Sequence, residues 1–297
     1  MTILNMPSDG SFNVLMVLFR ALKEAGPMGE EELQTYCGGS LAEKPDRLRH
    51  TLNRWSALGL FQINGDGLVE LGEGIKFGTQ KDATTSELAA LARKVIFYEI
   101  NNDNFWNSEK CACADLTRGL AWLLAQDIYT AEVGKTAAIQ ELESTQLTDT
   151  DRRLVKNSNR LEALRVWGLS LGFLWNEDAL VIDPTEAIGD ELSSIFSGRL
   201  ELTATQLLNS IAAILPVMDG GRYRVEVENA LNQATWAPPP GPEYLSTSLS
   251  RALWRLHDDG RIALEHRADA GDIRVLQRAK GRQWMTFSHV RFAARTA

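Results

Sequence analysis

Three times along this chain a helical segment ends on a glycine eleven residues after a leucine: Leu48 to Gly59, Leu161 to Gly172, and Leu249 to Gly260. A short apolar strand follows each glycine, "LFQI" (60–63), "FLW" (173–175) and "RIAL" (261–264). A polar turn comes next, "NGDG" (64–67), "NED" (176–178) and "EHRADAGD" (265–272). Each turn leads to a second strand, "LVEL" (68–71), "LVID" (180–183) and "IRVL" (273–276). Glycine just past a helix supplies the left-handed residue of a C-cap, and Asn-Gly or Asp-Gly favours a tight hairpin turn. One helix–glycine–hairpin unit is common. Three at fixed internal spacing read as a repeat.

Upstream helices complete each repeat. In the first, Ser8 or Asp9 can cap a helix over 11–25, with Phe12, Leu15, Leu18, Phe19 and Leu22 at helical spacing. Gly26-Pro27 ends it, Glu30 to Cys37 forms a second helix, and Gly38-Gly39 ends that. Segments 116–127 and 136–145 play these parts in the second repeat, and 203–215 and 224–232 in the third. The stretch "APPPGPEY" (237–244) excludes helix and stiffens the last connection. The segment 85–101 reads as a connecting helix and 102–115 as loop. The fold class expected is mainly α with small β hairpins (α+β), as three tandem winged helix-turn-helix domains with a helical connector. Their bounds are 1–80, 81–115 for the connector, 116–197, and 198–297 with a basic C-terminal segment.

The helix after each second helix is the one that can enter a major groove. In the first repeat Leu48, Leu52, Trp55 and Leu58 share one face. Arg47, His50 and Arg54 lie on the other, with Arg49 and Asn53 at its edges. Arginine and asparagine are side chains that read guanine and adenine edges. A solvated charged face, or a protein-docking face, would look the same. In the third repeat Leu249, Leu253 and Leu256 turn inward while Arg251 and Arg255 turn outward. Trp254 sits about 140° from Leu249 on the wheel, so it calls for a partner: another domain, another chain or nucleic acid. His266, Arg267 and Arg274 stand on the expected wing, with Arg278, Lys280 and Arg282 after it. A basic wing beside a basic helix fits phosphate contact. In the second repeat "LEALRVWGLSLGFLW" (161–175) is apolar nearly all round, which predicts a buried, central, structural domain.

Charge is unevenly spread. Nine arginines and one lysine against five acids give Arg251–Ala297 a net +5, in a chain whose total is −8. That pattern permits local contact with nucleic acid or an acidic partner and argues against general coating of DNA. The three cysteines, Cys37, Cys111 and Cys113, and four histidines lack zinc spacing, so neither metal nor cofactor is expected. Sparse, odd cysteines fit a reducing compartment. The start "MTILNMPSDG" lacks a signal-peptide pattern and no apolar run reaches membrane-spanning length, so the protein reads as cytoplasmic with no membrane contact.

Tempting motifs fail on context. "EVGKT" (132–136) resembles the end of a phosphate-binding loop, but it lacks the upstream glycine and strand. Asp183, Glu186, Asp190 and Glu191 have no nearby lysine to complete a nuclease site, and read as a solvated acidic helix start. No catalytic constellation is found, and the chain reads as a non-enzyme.

The opening "ILNMPSDGSFNVLMVLFRAL" (3–22) resembles the start of DpdG proteins. These are encoded in bacterial clusters that insert deazapurine bases into DNA and restrict foreign DNA. The resemblance implies an accessory, non-catalytic role in a modification–restriction or antiphage system, with other proteins of that system as partners. It carries over no catalytic residues. With the basic faces, it makes DNA a partner. An assembly adaptor without DNA contact and a transcriptional regulator stay open as alternatives.

Overall fold

A computed structural model describes residues 2–5, 10–38, 46–79, 82, 84–107, 112–155, 157–176 and 178–293. The chain divides into two compact units, Met1–Asp115 and Leu116–Ala297. Twelve α-helices and four small antiparallel sheets of two or three strands lie among the described residues, a mixed α+β architecture.

In the first unit, α1 (Phe12–Ala25) buries Phe12, Leu15, Leu18, Phe19 and Leu22, the apolar positions that the helical spacing selects. Ser11 is its N-cap residue, without a side-chain cap bond; Ser8 and Asp9 lie outside the described residues. Next come α2 (Glu30–Tyr36) and α3 (Asp46–Ala57). Leu48, Leu52, Trp55 and Leu58 are all buried, and the Trp55 indole donates to the Gly10 carbonyl at 3.0 Å. Gly59, with φ 91°, turns the chain from α3 into β1 (Phe61–Ile63). β1 pairs with β2 (Val69–Leu71), with Phe61 opposite Leu71. Between them the Asn64 side chain accepts from the amides of Asp66 and Leu68, which closes the turn. Met28 bridges Val69, so the link between α1 and α2 lies along the same hairpin.

The connecting helix α4 (Thr85–Ile96) is capped by the Thr84 hydroxyl, and Glu87 on it pairs with Lys23 of α1 at 2.6 Å. A 3-10 turn, Glu99–Asn102, follows. Asn101 fastens it by donating to the carbonyls of Leu58 and Val95.

The second unit holds α5 (Ala114–Leu124), α6 (Thr136–Gln146) and α7 (Ser158–Ser170). The hairpin of β3 (Leu174–Asn176) and β4 (Leu180–Ile182) follows Gly172, with Leu174 opposite Ile182. Two short helices that the periodicity does not signal, α8 (Thr185–Asp190) and α9 (Leu192–Phe196), come next. Then β5 (Glu201–Thr203) leads into α10 (Ala204–Ile214), which starts on a reciprocal Thr203–Gln206 capping box. α11 (Arg222–Glu228) and α12 (Thr247–Asp258) follow, and Leu249, Leu253 and Leu256 of α12 are fully buried. The start of α12 is tied to the end of α5, where the Ser248 hydroxyl donates to the Leu124 carbonyl at 2.8 Å.

Two expectations are corrected here. The strands "RIAL" and "IRVL" do not form a hairpin with each other. β6 (Ile262–Glu265) pairs instead with β9 (His289–Phe292), and β9 is the centre of a three-stranded sheet in the order β5-β9-β6. β7 (Arg274–Gln277) pairs with β8 (Gln283–Phe287). The hairpin here is β7–β8, and both partner strands, β8 and β9, lie beyond the segment whose pattern signalled it. Secondly, α7 is not apolar and buried all round. Leu161, Leu164 and Trp167 are in the core, whereas Glu162, Val166 and Leu169 face outward.

Candidate nucleic-acid interface

On α3 one face is core and the opposite face is open. Arg47, Arg49, His50 and Asn53 are exposed. Arg49 pairs with Asp46 one turn earlier at 2.9 Å, both side chains in solvent. Such an exposed pair is worth about 0–1 kcal/mol, so an incoming phosphate can displace it. Arg54 is half-buried and runs beside Gly10, where a Cβ would meet Arg54 Cγ at 3.0 Å. The face is thus a row of donors spaced along about two helical turns, on a helix anchored by Trp55. Two acidic features stand near it in sequence: Glu30, Glu31 and Glu32 fill the first turn of α2, and Asp66 is at the exposed tip of the hairpin.

On α12 the outward face has a different fate. Asp183, at the end of β4, is buried to 2% exposure. Its Oδ2 accepts from Arg251 Nε at 3.0 Å and from Arg255 Nη1, and its Oδ1 accepts from the backbone and hydroxyl of Thr185. Arg255 also lies over the Trp175 ring, 5.5 Å from its centroid. Both arginines keep about a third of their surface, 33% and 34%, yet their guanidinium groups are held by a carboxylate that wants them. Sequence reasoning took Asp183 for part of a solvated helix start. Its only local signal is its place between an apolar strand and Pro184-Thr185.

Trp254 is half-buried and stacks on Trp284 of β8, with centroids 4.5 Å apart and planes at 28°. Arg278 sits 4.5 Å from the Trp284 centroid as well. The outward tryptophan finds its aromatic partner within its own unit.

The remaining basic residues that follow α12 are placed as follows. Arg267 is exposed but paired with Glu201 and Glu265; its hydrogen bond holds the Glu201 carboxyl below the usual range. Arg274 lies 3.5 Å from Asp272 and donates to the Thr205 hydroxyl. Burial pushes the Asp272 carboxyl up, but bonds from Thr205 and the Arg274 charge outweigh it and leave it low. His266 is exposed, 3.4 Å from the Thr286 hydroxyl. Arg251, Arg255, Arg267 and Arg274 are thus each held by a carboxylate of the same unit, while on α3 Arg49 has only the solvent-exposed Asp46.

No group of three or more His, Cys, Asp or Glu side chains among the described residues is arranged to hold a metal ion. Cys111 lies outside the described residues. Lys135 of "EVGKT" pairs with Glu132 at 2.8 Å in solvent. No helix among the described residues is long and apolar enough to cross a membrane.

The model of the DpdG-like family matches residues 1–270 of the chain. No curated protein and no solved structure matches it. The match spans most of the 297 residues, so the chain belongs to the DpdG-like family.

Proposed function

We propose that this DpdG-like protein is a non-catalytic component of a deazapurine DNA modification–restriction system, and that it contacts DNA through α3 of its first winged helix. Family membership suggests the system. The observation that carries the DNA contact is the asymmetry of α3: Leu48, Leu52 and Trp55 in the core, Arg47, Arg49 and Asn53 exposed on the other side. A helix held this way presents guanidinium and amide groups to a groove without rearrangement. In this reading the chain carries three winged helices. The second serves as structure, and α12 of the third is not the reading helix, since Asp183 already occupies Arg251 and Arg255.

The test is fluorescence anisotropy of the full-length protein on duplex DNA at two salt concentrations. The triple variant Arg47→Ala/Arg49→Ala/Asn53→Ala should bind more weakly. Its log–log salt slope should be flatter by about 2, from two lost phosphate-range cations at roughly 0.9 each. Unchanged affinity and slope would remove α3 from the reading.

A second reading, an assembly adaptor that holds partner proteins of the same system, is favoured by one specific feature. Residues 1–115 carry eleven Lys and Arg against sixteen Asp and Glu, with Glu30–Glu32 together on α2. An acidic surround slows approach to a polyanion. A stable complex that survives nuclease treatment, with no DNA shift, would select the adaptor.

A further inference from the structure

The net positive charge of the C-terminal segment is not spread over its surface. Arg251 and Arg255 face Asp183, Arg267 faces Glu201 and Glu265, Arg274 faces Asp272, and Arg291 faces Glu265. Arg261 donates to the Gly189 carbonyl. Arg278, Lys280 and Arg282 are exposed and have no carboxylate partner among the described residues. All three fall in the five residues that join β7 to β8.

That joint is built, not slack. The Arg278 amide donates to the Arg282 carbonyl at 2.7 Å, which closes the loop. Lys280 (φ 63°) and Gly281 (φ 66°) make the left-handed corner. Arg278 lies along the Trp284 ring, and Trp284 stacks in turn on Trp254 of α12. The chain of contacts from helix to hairpin holds the Arg278 guanidinium in place, and the closed turn fixes the backbone from which Lys280 and Arg282 project. One acid comes near: Asp127 lines the same cavity as Gly281, and it already accepts from the Tyr129 amide.

From this placement we propose that the Arg278–Arg282 turn is a phosphate-contacting wing, a second nucleic-acid contact in the unit that does not contain α3. Three unmatched cations on a closed turn complement a polyanionic backbone. The indole of Trp284 has both Trp254 and Arg278 at 4.5 Å, so it offers no open face to an unstacked base. The contact is therefore to duplex backbone, without base readout. It goes beyond the α3 reading and stands independently of it.

The experiment uses the full chain and a fluorescein-labelled duplex of arbitrary sequence, titrated across a salt series. Arg278→Gln/Lys280→Gln/Arg282→Gln should weaken binding and reduce the log–log salt slope by about 2 to 3, at roughly 0.9 per lost contact. Lys280→Glu, at an exposed tip with the backbone unchanged, should act in the same direction and checks that loss of the Arg278 stack is not the cause. Unaltered slope in both variants overturns the proposal. So does a wild-type protein that ignores duplex at low salt, the result expected if an acidic protein is the true partner. Loss in the turn variants with none in the α3 variant keeps this wing and discards α3. The reverse pattern discards the wing alone.

Discussion

Arg251 Nε reaches Asp183 Oδ2 across 3.0 Å, joining the outward face of α12 to the end of the preceding hairpin, 68 residues earlier in the chain. Arg255, one turn on, shares the same oxygen. This pairing sets two arginines of a face that reads as DNA-facing against a buried carboxylate of the protein itself. Removing the carboxylate should therefore cost folding stability. Breaking a buried pair from one side costs about 3–5 kcal/mol, and the partly exposed arginines recover some of it by resolvation. Asp183→Ala should lose about 2–4 kcal/mol in denaturant unfolding, and Asp183→Asn, which keeps an acceptor for Thr185, should lose less. A change within about 0.5 kcal/mol, typical of a surface site, would mean that the pair does not hold α12.

The glycines that end the three repeat helices all have positive φ: 91° at Gly59, 76° at Gly172 and 68° at Gly260. Their surroundings differ. A Cβ on Gly260 would meet nothing within 4 Å, whereas one on Gly172 would sit 2.8 Å from the Ala187 amide nitrogen. Gly260→Ala should cost about 1–2 kcal/mol, the strain of the left-handed backbone alone. Gly172→Ala should cost more, because α8 must also move. Thermal unfolding of the two variants checks the order, and equal losses would contradict it.

Glu143 of α6 is 2% exposed and accepts from the amides of Leu154 and Val155. Burial raises its carboxyl above the ordinary value of 4.5, against the opposing pull of those amides and of Arg153 and Arg160. A raised acid binds its proton more tightly in the folded state. As pH climbs through about 4.5 the unfolded chain ionises first, and stability falls until the folded carboxyl follows. The stability of the wild type relative to Glu143→Gln should therefore decline from pH 4 to pH 7, as read by urea unfolding at both. A relative gain over that interval would reverse the sign. Glu143→Ala, which strands the two amides, should cost about 1–3 kcal/mol at either pH.

What the sequence makes legible is local. The apolar faces of α3 and α12 are set by helical spacing, and Leu48, Leu52, Trp55, Leu249, Leu253 and Leu256 are core as that spacing requires. The glycine stops are equally plain, since only a residue without Cβ takes that backbone cheaply. Strand partnership is another matter. "RIAL" and "IRVL" each read correctly as strands, but β6 chooses β9 and β7 chooses β8. Period-two alternation names a strand's inner face and says nothing about its neighbour. The site suffers from the same blindness. Nothing near Asp183 announces two arginines that come from a helix far along the chain, and nothing near Trp254 announces Trp284. The inner face of α3 is readable because helical spacing alone sets it.

Contact between α3 and DNA can be read by photo-crosslinking from the outer face of the helix. A photoreactive residue placed at Asn53, exposed on α3, is compared with one at Leu200, which is 73% exposed in the other unit. With full-length protein and duplex DNA under illumination, position 53 should give a protein–DNA adduct that fades as salt rises, and position 200 none. An adduct from position 200 with none from position 53 would contradict contact through α3.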